Sequence, residues 1–400
     1  MNFTFLIILI LLIIFFRKKK INLNNPLFFF WSTWIITILI CSLNIFSAYN
    51  KLSLKTYLYL LLYLLVTTFG FVLGKSLSFA NVDIKYTPSK LFVSFNILFL
   101  LVCCAYILTI IKLGLPPAIS GADRSTYYLG NGGELIYLLI YPCFFLGLIL
   151  FREIPLIKIL PQLIVLSIIV LSRGNKMTIF TIVLMIFYLY GRKIKLINII
   201  LFLIFVLVVF YFSTYIYTKN VTDKYLLQTT RVLLTGFTLP NNFYFLYDPL
   251  IYFSSNLYNL NNLINLDLSF IGHGLISFKS ITQILGAFNP SVTEHYVELQ
   301  NILNSSLTVP IFNTYSGLGL LYFDFGIILT LAIMLVIGIL TGGIYKNKEK
   351  SNVSLTTNFF GFILYQTLAL SFFTFYLGNL EVLTNLIIMF IISLIAKKHT

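Results

Sequence analysis

The stretch "LINIILFLIFVLVVFYFSTYIY" at 196 to 217 carries no charged residue. A helix of about 20 such residues crosses a hydrocarbon layer roughly 30 Å thick. Similar runs recur along the chain, continuous and rich in Leu, Ile and Phe rather than alternating. Inside lipid a continuous apolar run satisfies its backbone only as a helix, because a transmembrane barrel needs short strands of alternating polarity. The whole chain agrees, with 59% hydrophobic and 10% charged residues and a mean hydropathy of +0.96. Few water-soluble domains have such a balance. The sequence therefore predicts an all-α polytopic integral membrane protein.

Hydropathy places about eleven transmembrane helices, at 3–16, 27–47, 57–74, 91–111, 134–151, 155–172, 177–190, 196–217, 324–344, 354–376 and 380–396. The first run is short, although Arg17 to Lys20 behind it can snorkel and extend its reach. Its positive charges follow the apolar run instead of preceding it, so it reads as a retained helix rather than a signal peptide. Most of the 27 cationic residues fall on one side if the "RKKK" loop is cytoplasmic. The positive-inside rule then puts the N-terminus outside and the C-terminus in the cytoplasm. Three regions follow: an N-terminal bundle of spans 1–8 over 1–217, a long, partly helical extracytoplasmic loop over 218–323, and spans 9–11 over 324–400. Membrane lipids account for the net charge of +15, and no nucleic-acid partner is needed.

In that frame "IVLSRGNKMTIF" at 169 to 180 stands out, because Arg173 and Lys176 meet at the outer end of two spans joined by a tight turn. Either both cations snorkel around a Gly174-Asn175 turn, or they form an anion site in which a guanidinium holds phosphate oxygens bidentately. On the same side, Arg124 lies in "GADRSTYYLGNGGELIY" just ahead of Glu134, as a surface arginine or a third cation of that site. Arg231, in "LLQTTRVLLTGF", sits in a semi-apolar context where an unpaired charge is expensive, which points to a buried pair or a ligand contact.

The long loop is too aromatic for a disordered tail, and "NNFYFLYDPLIYFSSNLYNLNNLINL" at 241 to 266 suits short helices lying in the interface with Asn and Asp facing water. A helix is expected after Pro290, with Ser291 and Glu294 spaced as a capping box and with His295 and Glu298 beyond them. His273 stands between two glycines in "FIGHGLISF". In "PIFNTYSGLGLLYFDFGIILT", Asn313 and Thr314 are candidate polar contacts for a substrate, and Asp324 is placed where span 9 begins. The four cysteines and three histidines form no metal spacing. The cysteines read as packing residues, and no metal or cofactor is expected.

The order of "LSRGNKMTIF", then "GHGLISFKSITQILG", then "FNTYSGLGLLYFDFGIILT" resembles the bacterial oligosaccharide repeat-unit polymerases, the Wzy-like O-antigen and capsule polymerase family. The resemblance covers most of the chain from about 90 onward. It implies a glycosyltransferase in the bacterial cytoplasmic membrane whose substrate is a polyprenyl-pyrophosphate-linked oligosaccharide. A hydroxyl of one unit attacks the anomeric carbon of another, and polyprenyl pyrophosphate leaves. Arg173, Lys176, Arg124 and Arg231 would bind the pyrophosphate, and Asp324, His273 or Glu298 would act as base. A chain-length regulator and a flippase are the protein partners such an enzyme implies. A polysaccharide ligase of similar architecture and a lipid-linked oligosaccharide flippase remain open at this stage.

Overall fold

The computed structural model describes residues 23–77, 86–121, 127–151, 153–191, 208, 224–349 and 353–397. Fifteen helices are labelled in chain order: α1 Pro26–Ser42, α2 Leu54–Ser76, α3 Pro88–Leu113, α4 Pro117–Ser120, α5 Asn131–Tyr137, α6 Ile140–Leu150, α7 Leu160–Arg173, α8 Lys176–Tyr190, α9 Lys224–Thr235, α10 Tyr247–Asn265, α11 Lys279–Phe288, α12 Pro290–Ser305, α13 Gly317–Glu349, α14 Leu355–Ala369 and α15 Leu380–Ala396. No strand forms among the described residues, which carry only isolated bridges at Phe46 with Phe237 and Tyr86 with Lys397. The chain divides into two compact units. One holds α1, α2, α9 to α12, most of α13 and residues 363–380; the other holds α3 to α8, residues 347–362 and α15.

Four helical stretches are long and apolar enough to cross a membrane: Leu54–Ser76, Pro88–Leu113, Gly132–Leu150 and Gly317–Lys348. Their outward faces are greasy too. On α2 the exposed residues include Leu58, Leu62, Leu65, Phe69 and Val72, a stripe at helical spacing that water would not favour. These features are those of an all-α membrane protein.

Other expected spans come out shorter, each for a local reason. The 27–47 run ends at Ser42, because residues 45–47 turn away to exchange backbone hydrogen bonds with 236–238. The 155–172 run becomes a single 3-10 turn and then α7 from Leu160, since Pro155 and Pro161 suit a helix start and not its interior. The 354–376 run stops at Ala369, where the Ser371 hydroxyl accepts from Trp34 Nε1 at 2.8 Å. Expected span 1 and nearly all of expected span 8 lie outside the described residues.

Glycines decide the closest helix crossing. On α2 a Cβ at Gly70 or Gly74 would meet the carbonyl oxygens of Leu335 and Ile339 at 2.4 and 2.0 Å. On α13, Gly338 and Gly342 would in turn meet those of Thr67 and Phe71 at 2.5 and 2.1 Å. Two small-xxx-small stripes face each other here, the arrangement that lets membrane helices approach backbone to backbone.

The expectation that the amides of 241–266 face water is corrected. Its main helix, α10, buries Asn256, Asn259 and Asn261 completely. Asn259 Nδ2 donates to the carbonyls of Phe312 and Thr314 at 2.9 and 2.8 Å, and Asn261 Oδ1 accepts from Ser53 N and Thr56 Oγ1, both at 2.8 Å. The amides point inward because extended backbone on either side needs partners, and a short side chain with both donor and acceptor supplies them. The expected capping box also differs: Asn289, not Ser291, caps α12, its Oδ1 accepting from Ser291 N at 3.2 Å.

Candidate functional site

The chemistry-bearing residues collect in two groups, one in each unit. The first is built on the turn between α7 and α8. Gly174 adopts the left-handed conformation, with φ 66°, that ends α7, and Asn175 then caps α8 by accepting from Met177 N and Thr178 N. This turn fixes Arg173 as the last residue of α7, and its side chain folds inward. At 7% exposure it is not snorkelling.

Arg173 Nη2 donates to Glu134 Oε2 at 2.9 Å and to the Tyr127 carbonyl at 3.1 Å. The guanidinium lies 3.8 Å from the centre of the Tyr137 ring and 5.9 Å from that of Tyr127. Cation, carboxylate and aromatic faces thus compensate one another away from water. Next door, Ser172 Oγ and the Tyr106 hydroxyl pair at 2.6 Å. Burial pushes the Tyr127 phenol upward, with Tyr106 adding to the rise and Arg173 opposing it. Lys176 is half-buried on the first turn of α8. Arg124 lies outside the described residues.

The second group joins two motifs that are far apart in sequence. Asp324, fully buried, does not open a helix as expected; α13 starts at Gly317 and kinks two residues after the aspartate, at Gly326, whose φ of 65° only glycine adopts cheaply. The "IGHGLIS" loop wraps the aspartate. Ser277 N donates to Asp324 Oδ2 at 2.5 Å, while Ile271 N and Gly272 N donate to the Phe323 carbonyl at 2.8 and 3.2 Å. A Cβ at Gly272 would stand 1.8 Å from Asp324 Oδ1, so only glycine fits. Asp324 Oδ1 and the Ser277 hydroxyl are both buried without a hydrogen bond of normal geometry.

His273 sits on the outward side of this loop, exposed, with φ 48° and its ring edge-on to Phe270 at 5.4 Å. Asp267, Phe270 and His273 all carry positive φ, a concentration of strained backbone that a rigid anchor must hold. Glu298 is exposed on α12, where its Oε2 lies 3.3 Å from His295 Nδ1. Asn313 is exposed and Thr314 half-buried on the strap that Asn259 holds. Arg231 is half-buried on α9, and its carbonyl accepts from the Tyr247 hydroxyl at 3.0 Å.

Comparison with protein-family models, with curated proteins and with solved structures finds no match to this chain. The site therefore rests on its own geometry.

Sequence reasoning noticed Glu134 without giving it a role, and missed Tyr127, Tyr137 and Ser277. A signal existed for two of them. Glu134 and Tyr137 are three apart on α5, hence on one face, and are separated from Arg173 by a single hairpin of spans. Nothing in the sequence marks Ser277.

Proposed function

We propose that this chain is a membrane glycosyltransferase that polymerises polyprenyl-pyrophosphate-linked oligosaccharides. The observation that carries the reading is the inward-held Arg173, a guanidinium fixed by Glu134 and Tyr137 on the same turn as Lys176. With its place fixed by that pairing, the guanidinium is a preorganised donor for the charge that develops on a departing pyrophosphate. Lys176 adds a second positive charge on the same turn. Eleven crossings, an external N-terminus and a site at the outer face of the bacterial cytoplasmic membrane belong to the same proposal.

The acceptor hydroxyl needs a base. Asp324 is wholly enclosed by its loop, so we assign it a positioning role: it holds the strained segment that presents His273 at the surface. His273 is then the exposed candidate for proton transfer, and Glu298 the alternative.

The test is a glycan-length assay in a strain lacking this chain, complemented at matched membrane levels with the wild type, Arg173→Lys or His273→Ala. Arg173→Lys keeps the charge and loses the fork. Single repeat units should accumulate with either variant, while the wild type restores a ladder of lengths. Full-length polymer retained on its lipid carrier would instead indicate a ligase, and units trapped on the cytoplasmic face a flippase. Normal ladders from both variants would overturn the proposal.

A further inference from the structure

Helix α11 is amphipathic the wrong way round for a helix in water. Ile281, Ile284, Leu285 and Phe288, spaced to share one face, are 51, 40, 47 and 86% exposed. The residues turned inward are polar: Ser280 and Thr282 are buried, and Thr282 Oγ1 donates to the Leu275 carbonyl at 2.7 Å. Exposed apolar surface at helical spacing, set against a satisfied polar interior, marks a face made for an apolar surrounding.

The position of α11 says what that surrounding is. The helix starts straight after the loop anchored on Asp324, and Phe278, one residue before it, packs edge-on against Phe325 and Phe375 at 6.0 and 5.5 Å. The backbone of Gly378 closes on Ser277 so tightly that a Cβ would lie 1.7 Å from the Ser277 carbonyl oxygen. Helix α11 is therefore tied to the Phe325–Gly326 level of α13. Just past that level α13, one of the four stretches able to cross a membrane, exposes Ile327, Ile328 and Leu329. Phe270, itself exposed, lies against Gly326 at the same level, where a Cβ would sit 3.9 Å from its ring. An outward apolar face therefore stands beside the level at which a helix able to span a membrane exposes its own apolar side chains.

The charges fit the same occupant. Helix α11 has one ionisable side chain, the exposed Lys279 on its first turn, and no acidic residue, whereas Glu294 and Glu298 stand exposed on the next helix, α12. A single cation beside an apolar strip suits an anionic lipid headgroup over acyl chains.

We infer that α11 lies in the membrane interface, with Ile281, Ile284, Leu285 and Phe288 at the boundary between headgroups and acyl chains, and so fixes the height of the His273 loop above the bilayer. The inference rests on the chain being a membrane protein and is independent of its catalytic activity.

The experiment uses the full chain with Cys103→Ala and Cys104→Ala, which leaves the buried Cys41 and Cys143 in place. Spin labels are introduced singly by Ile284→Cys, Phe288→Cys and Glu294→Cys, and each protein is reconstituted in vesicles of phosphatidylethanolamine and phosphatidylglycerol. Collision with dissolved oxygen, which concentrates in lipid, should exceed collision with a water-soluble nickel complex at 284 and 288, with the reverse at 294. A second measurement, quenching of a fluorophore at 288 by lipids brominated near the headgroup, should exceed quenching by lipids brominated near the chain end. Nickel access at 284 and 288 equal to that at 294 would overturn the inference. So would protection from both reagents, which means a second copy or another protein covers the face.

Discussion

Arg173 and Glu134 are each expensive to bury alone, and their 2.9 Å contact is what makes burial tolerable. Removing Glu134 should cost roughly 3–5 kcal/mol, because the Arg173 charge is left enclosed, and removing Arg173 should cost less, because the Glu134 side chain is 20% exposed. Arg173→Ala and Glu134→Ala should therefore each lower the thermal midpoint of the purified protein in detergent, and the double variant should lose less than the sum. Additive losses would mean the two charges do not depend on each other. The sequence made Arg173 conspicuous because a cation interrupting an apolar run is rare. It could not say whether the charge faces headgroups or a carboxylate, since Glu134 meets it only through the fold. Asp324 is similar: its place near the start of a span was legible, but its grip on the loop at Ser277 depends on a tertiary contact across 47 positions.

At the scale of helices, the crossing of α2 and α13 depends on the absence of side chains. Gly74→Leu or Gly342→Leu should push two backbones apart and destabilise by roughly 1–3 kcal/mol, as overpacking does. Gly132→Ala, where a Cβ meets nothing within 4 Å, is the control and should change stability by no more than about 0.5 kcal/mol. Thermal unfolding of the three variants in one detergent decides it, and equal midpoints would remove the crossing from the forces that hold this unit together. Both glycine pairs are visible in the sequence at a spacing of four, yet nothing there says which stripe meets which. Helix α10 shows the opposite failure. Its Asn-rich stretch reads as a water-facing surface because hydropathy scores an amide as polar wherever it points, and only the straps it holds reveal that it points inward.

Across the whole molecule, hydropathy identified the membrane character and located α2, α3 and the core of α13 well. It joined helix to turn wherever apolar residues ran on past a proline or a backbone contact. The proposed eleven crossings make a parity prediction: an odd count puts the two termini on opposite faces. A membrane-impermeant protease applied to intact spheroplasts should remove an N-terminal tag and spare a C-terminal one, and tags with the same fate would refute an odd count. The hydrogen bonds that stitch the first unit together also have a consequence in time. Ser53 N waits for Asn261 across 208 positions, and Trp34 Nε1 for Ser371 across 337. At about 5–20 residues per second of synthesis, Ser53 emerges roughly 10–40 s before its partner exists. During that interval the nascent α1–α2 hairpin is without its native partners, so the ribosome's pace and whatever shelters the hairpin become part of how this fold is reached.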